Sequence, residues 1–205
     1  MNGVQIKICG LFRPEDAQAV NAAMPDYAGF VFYEKSKRNV SPALAGELRA
    51  AMDATIRTVG VFVGAPVAQI AALYQNQTIS VAQLHGIEDD LTVAALRKAA
   101  PGMEIWQAFK VRTEADLLRA EQSRADQVLL DGGAGEGKPF DWRLADAFPR
   151  PFILAGGLTP DTIPCAIQTL HPMMVDLSTG VETDGVKDPD KILAAVRAVQ
   201  TTNAK

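Results

Sequence analysis

Eight short runs of β-branched and apolar residues recur along the chain, at residues 4–9, 28–32, 58–63, 81–84, 103–109, 127–131, 151–155 and 174–178. Each has the length and composition of a buried strand. Between them apolar residues switch to helical spacing, as over residues 43–52, 67–74, 93–99, 115–121 and 192–199. Helix-start signals stand where such segments should begin: Ser41-Pro42, Thr113 with Asp116 three residues on, Thr159-Pro160-Asp161 and Asp188-Pro189-Asp190. Regular βα alternation requires parallel strands joined by right-handed crossovers. Eight repeats fit a closed barrel, the (β/α)8 TIM architecture, better than an open flavodoxin-like sheet, the structural alternative.

Composition narrows the class further. With 205 residues, 48% hydrophobic and 21% charged, residues 1–205 read as one domain with room for a sizeable core. A net charge of −4 offers no broad cationic surface for nucleic acid, so any anionic ligand has to be held locally. The opening MNGVQIKICG lacks the apolar core of a signal peptide, and no apolar run approaches the roughly 18 residues of a membrane span. A cytoplasmic protein, monomeric or weakly homodimeric, is expected. Cys9 and Cys165 have no metal-ligand spacing, so no metal site is expected, and a structural disulfide between them would be unusual in a reducing compartment.

Side chains two apart on a strand face the same way. In the first strand Val4, Ile6 and Ile8 form the apolar set that should meet the helices, leaving Gln5, Lys7 and Cys9 to point into the barrel. The same alternation pairs Gln83 with His85, Leu129 with Asp131, and Asp176 with Ser178 on inward faces. The polar residue comes late in each strand, and the carboxyl ends of barrel strands form the catalytic face of this architecture. Cys9 closes the first strand, next to Gly10, whose missing side chain would let a ligand approach the thiol. A cysteine of ordinary pKa, about 8.5, is only a few per cent thiolate at neutral pH, so a base at Cys9 needs a positive neighbour, which Lys7 could supply. An inward Lys7 itself needs a partner, and Asp176 lies on the strand adjacent in a closed barrel. As plain core residues, Cys9 and Asp131 would be a buried thiol and the start of a glycine-rich turn.

Two glycine-bearing loops follow the seventh and eighth strands: Ala155-Gly156-Gly157-Leu158, and Leu177-Ser178-Thr179-Gly180-Val181-Glu182. Barrel enzymes often bind phosphate with these two loops and an added short helix. A small phosphorylated substrate is therefore expected. A third glycine-rich stretch, residues 132–138 after Asp131, reads as a mobile lid or ligand cradle. Lys35-Ser36-Lys37-Arg38 after the second strand is the densest basic run, and an arginine there can grip a carboxylate at two points. His85 could act as acid or base, or simply line the site. His171 and Cys165 fall on the non-catalytic side and read as structural.

The ordered set KICG, GFVFYEKSKRNVSP, VGVFVG, VAQLHG, LLDGGAGEGKPFDW, LAGGLTP and VDLSTGVE, running from Lys7 to Glu182, resembles the phosphoribosylanthranilate isomerases. The resemblance implies an Amadori rearrangement of N-(5'-phosphoribosyl)anthranilate to 1-(2-carboxyphenylamino)-1-deoxyribulose 5-phosphate in tryptophan biosynthesis, with no metal and no organic cofactor. It carries a general base onto Cys9, a general acid onto Asp131, a carboxylate clamp onto Arg38, and a phosphate site onto Gly156, Gly157, Ser178, Thr179 and Gly180, with Gln83, His85 and Asp176 lining the rest. An acid at Asp131 must be protonated when it acts, so a raised pKa is expected. Two departures stand out: Ser178-Thr179-Gly180 where the family often has a serine pair, which keeps a hydroxyl, and Gly132-Gly133 where a bulkier polar residue often follows the acid. The rivals are the histidine-pathway isomerase, which resembles a barrel with aspartate in place of Cys9, indole-glycerol-phosphate synthase, supported only by Lys110, and a non-catalytic sugar-phosphate binding module.

Overall fold

The computed structural model describes residues 3–86, 89–132, 145 and 148–204. Eight strands, β1 (Gln5–Cys9), β2 (Tyr27–Phe32), β3 (Arg57–Phe62), β4 (Val81–Leu84), β5 (Glu104–Lys110), β6 (Gln127–Asp131), β7 (Phe152–Ala155) and β8 (Met174–Leu177), close in sequence order into a barrel. All eight pairings are parallel, β8 returning to β1 with Lys7 opposite Asp176. Every strand lies within one residue of its sequence-predicted limits. The open sheet is excluded by the β1–β8 pairing. Helices α1 (Pro14–Ala23), α2 (Pro42–Ala51), α3 (Val67–Gln75), α4 (Asp90–Ala99), α5 (Glu114–Glu121), α6 (Ile163–Leu170) and α7 (Pro189–Asn203) connect them. After β8 come a 3-10 turn, Thr179–Val181, and a two-stranded hairpin, β9 (Glu182–Thr183) with β10 (Val186–Lys187). None of the described helices is long and apolar enough to cross a membrane. The glycine loop expected to act as a lid falls, from residue 133 on, outside the described residues.

Local chemistry sets the helix starts. Ser41 accepts from the Leu44 N–H, and Asp188 from those of Asp190 and Lys191, each ahead of a proline at the first helical position. Thr113 and Asp116 form the expected capping box. Asp116 also takes N–H bonds from Arg112 and Thr113 and a contact from Arg119; these outweigh the effect of burial and hold its carboxyl down at about 2. One predicted start is displaced: Thr159-Pro160-Asp161 forms a turn closed by the Thr159 N–H donating to Thr162 Oγ1 at 2.9 Å, and α6 begins at Ile163. Helix α1 went unread because its buried stripe is mostly alanine, Ala17, Ala19 and Ala23 around Val20, with little hydrophobic contrast.

The period of two divides the apolar residues between two cores. Ile6, Ile8, Phe30, Phe62, Leu84, Ile105, Val128 and Leu154 face outward beneath the helices, whereas Val59, Val81, Trp106, Leu129, Ile153 and Met174 fill the barrel. Its amino-terminal end is closed by a polar floor. Arg57 donates to Tyr27 Oη and Glu104 Oε2, both at 2.7 Å, Trp106 Nε1 donates to Glu104 Oε1 at 2.6 Å, and the Tyr27 and Trp106 rings meet edge to face. The opening is therefore left to the carboxyl ends of the strands.

Candidate active site

A cavity of about 550 Å³ opens at those carboxyl ends, and every site residue predicted from the sequence lines it except Gly180. Cys9 is the last residue of β1 and only 9% exposed. Gly29 opposite it on β2 has no side chain because there is no room: a Cβ there would lie 2.9 Å from the Cys9 sulfur. One inward position below, fully buried Lys7 donates to Asp176 Oδ2 at 2.8 Å, the expected pair. Burial works against the Lys7 ammonium, but Asp176 and Cys9 outweigh it and the pKa rises. Burial pushes the Cys9 thiol up, Lys7 pulls it back and Asp176 pushes it up again, leaving it above its ordinary value. Lys7 thus stands where an activating charge was expected, but burial and Asp176 together outweigh it. Asp176 Oδ1 and Gln83 Oε1 are buried with no hydrogen-bond partner among the described residues, and both residues line the cavity.

Asp131 ends β6, three strands from Cys9 round the barrel. Its carboxylate is 3.4 Å from His85 Nε2 on the β4 side of the mouth. Gly156, in the left-handed region at φ 96°, sets the third wall, since a Cβ there would come within 2.7 Å of Asp131 Oδ1 and of the Gly132 nitrogen. Gly157, Ser178 and Thr179 continue the rim. Gly180 packs elsewhere: a Cβ on it would overlap the Leu158 carbonyl oxygen, so it lets the β7 and β8 loops touch backbone to backbone. The short helix expected at this corner is the Thr179–Val181 turn.

Arg38 lines the cavity but is already engaged, its Nε and Nη2 each donating at 2.6 Å to one oxygen of Glu182. Gly10 makes room for this arginine. Its φ is 83°, and a Cβ would overlap the Cδ of Arg38, so the arginine stem rests on the bare glycine beside Cys9. Glu182 also accepts from Lys187 Nζ at 2.6 Å, and that buried ammonium donates to the Ser178 carbonyl at 3.0 Å. The Ser178 hydroxyl in turn donates to the Cys9 carbonyl at 3.1 Å. Burial opposes the Glu182 charge, but Arg38 and Lys187 outweigh it and lower its pKa; burial lowers that of Lys187.

Glu182 and Lys187 had no assigned part in the sequence reading, nor had Tyr33, Ser36 and Arg112, which also line the cavity. Lys110, offered by the sequence only as a mark of indole-glycerol-phosphate synthase, lines the cavity too, continuing the inward set Trp106 and Ala108 to the end of β5. Cys165 is exposed on α6 and His171 ends that helix in the left-handed conformation, away from the site as expected.

Residues 6–198 match the family model of N-(5'-phosphoribosyl)anthranilate (PRA) isomerase. The N-(5'-phosphoribosyl)anthranilate isomerase of Lactiplantibacillus plantarum is 46% identical over 201 residues, covering 96% of this chain and 93% of the relative. The crystal structure of phosphoribosyl anthranilate isomerase from Thermotoga maritima superposes with a TM-score of 0.88 at 33% identity, over 97% of this chain and 99% of that one. A further structure of such an isomerase, in complex with reduced 1-(o-carboxyphenylamino)-1-deoxyribulose 5-phosphate, superposes at 0.84 with the same identity and coverage. With a matching family model across nearly its whole length and relatives of this similarity, the chain belongs to the N-(5'-phosphoribosyl)anthranilate isomerase family.

Proposed function

We propose that this chain performs its isomerisation of N-(5'-phosphoribosyl)anthranilate, a step of tryptophan biosynthesis, with Asp131 as general acid and Cys9 as general base. Protonation of the ribose ring oxygen by Asp131 accompanies ring opening to a Schiff base. Removal of the C2' proton by the Cys9 thiolate then gives an enolamine, which tautomerises to the ketone. The observation that carries this reading is that Cys9 and Asp131 end two separated strands on one cavity, with two glycine loops on its rim and Arg38 beside the thiol. The phosphate sits against the loops at Gly156, Gly157, Ser178 and Thr179, helped by Gly180, which lets them meet. Arg38 takes the anthranilate carboxylate, and the partnerless oxygens of Gln83 and Asp176 accept from sugar hydroxyls, since buried acceptors left unpaired are costly. We read the protein as a single-domain, cytoplasmic enzyme for which, with all of these residues supplied by one chain, a monomer or weak dimer suffices.

The test is loss of anthranilate-type fluorescence on turnover of freshly generated substrate by the parent, Cys9→Ser and Asp131→Asn. Each substitution keeps size and hydrogen bonding close to the original. A fall of about 10²–10⁴-fold in each variant, with product still bound, is expected for loss of a positioned acid or base. A nearly unaffected Asp131→Asn would move the acid to His85, which its 3.4 Å contact with Asp131 makes the second reading.

A further inference from the structure

We infer that Glu182, braced by Lys187, is the positioning residue that makes Arg38 selective for a carboxylated aromatic amine; the inference rests on Arg38 being the carboxylate clamp. Glu182 takes the Nε–Nη2 side of the guanidinium in a two-point contact at 2.6 Å and 2.6 Å. A guanidinium gripped on that side retains its end edge, the Nη1 hydrogens and the second Nη2 hydrogen, for another planar two-point partner. Arg38 can therefore bind Glu182 and a substrate carboxylate together. The stem cannot drift, because it lies across Gly10, where any Cβ would overlap it.

The alternative is that Glu182 mimics the substrate and is displaced by it. Its own anchoring argues otherwise. Its side chain is only 6% exposed, it accepts from the fully buried Lys187 ammonium at 2.6 Å, and its backbone carbonyl accepts from Lys191 Nζ at 2.8 Å. A Glu182 that released Arg38 would stay in place with half its partners gone. The charges agree with the brace: Arg38 and Lys187 against Glu182 leave one positive charge, which a single carboxylate neutralises. Lys187 also donates to the Ser178 carbonyl, so the same brace ties the carboxylate clamp to the β8 phosphate loop.

The test uses two probes, reduced 1-(2-carboxyphenylamino)-1-deoxyribulose 5-phosphate and its phenylamino counterpart without the carboxylate, titrated calorimetrically into the parent, Arg38→Met, Glu182→Gln, Glu182→Asp and the double variant Arg38→Met/Glu182→Gln. A charge-assisted two-point contact should give the parent a preference of roughly 10- to 150-fold for the carboxylated probe. Arg38→Met removes that preference. Glu182→Gln lowers it about tenfold while the other probe binds within about twofold of parent, Glu182→Asp is intermediate, and the double variant is no worse than Arg38→Met. Glu182→Asp keeps the charge, so it answers the question should Glu182→Gln melt early. Equal weakening of both probes means a merely structural Glu182 and overturns the inference. Tighter binding of the carboxylated probe by Glu182→Gln overturns it too, identifying a competitor instead of a brace. A parent without preference, or an Arg38→Met that keeps it, refutes the clamp itself and the inference with it.

Discussion

The Lys7–Asp176 pair can be broken in a way that separates folding from catalysis. Lys7→Met keeps most of the stem volume but strands a carboxylate that is 7% exposed, with its partner 2.8 Å away removed. Removing one member of a buried pair costs about 3–5 kcal/mol. Because Asp176 borders the cavity, where water can reach it, the lower end applies, about 3 kcal/mol. For a chain of this size that lowers Tm by roughly 6–12 °C. Lys7→Met/Asp176→Leu removes both charges and should return to within about 1 kcal/mol of the parent, since replacing a whole buried pair by apolar groups is often neutral. The parent's advantage also has a definite pH range. The Lys7 pKa is raised on folding, so its contribution is fully present below the unfolded value, about 10.4, and is lost as pH rises through the folded one. Urea unfolding followed by circular dichroism at neutral pH measures all three proteins. A Lys7→Met variant within about 0.5 kcal/mol of parent, or a double variant no more stable than the single one, would refute the argument. The double variant, though folded, should lose about 100-fold in kcat/KM, because it lacks the Asp176 acceptor and the charge nearest Cys9.

Two further outcomes follow from the same neighbourhood. Because burial holds the Cys9 thiol above its ordinary pKa, its alkylation by iodoacetamide should quicken about tenfold per pH unit from 7 to 9; a plateau below pH 8 would show an activated thiolate. Gly10→Ala should destabilise by about 1–2 kcal/mol through its left-handed φ and raise KM about tenfold by dislodging Arg38, with kcat less affected; an unchanged KM would mean that the arginine is not held where substrate needs it.

Most of the barrel was legible because buried parallel strands are written as contiguous β-branched runs, and eight of them leave few ways to close. The Lys7–Asp176 pairing followed from that closure, since the first and eighth strands become neighbours only in a ring. Where contrast faded, so did legibility. Helix α1 buries alanines, and the β9–β10 hairpin has two residues a side, too few to show alternation, so neither Lys187 nor the contact of Glu182 with Arg38 could be placed. Spacing also gives no sign that a Cβ on Gly10 would meet Arg38, or one on Gly156 the Asp131 carboxylate. Such roles depend on which atoms arrive from other strands, which spacing along one chain does not record.

Gly156 has a wider consequence. The bare position that lines the cavity at the end of β7 is also the gap into which the Asp131 carboxylate fits, with both Oδ1 and the Gly132 nitrogen 2.7 Å from where a methyl would stand. In the proposed reaction, capture of the substrate's anionic tail and delivery of the proton that opens its ring would thus be hinged on one residue with two clients. Neither can be retuned there without disturbing the other.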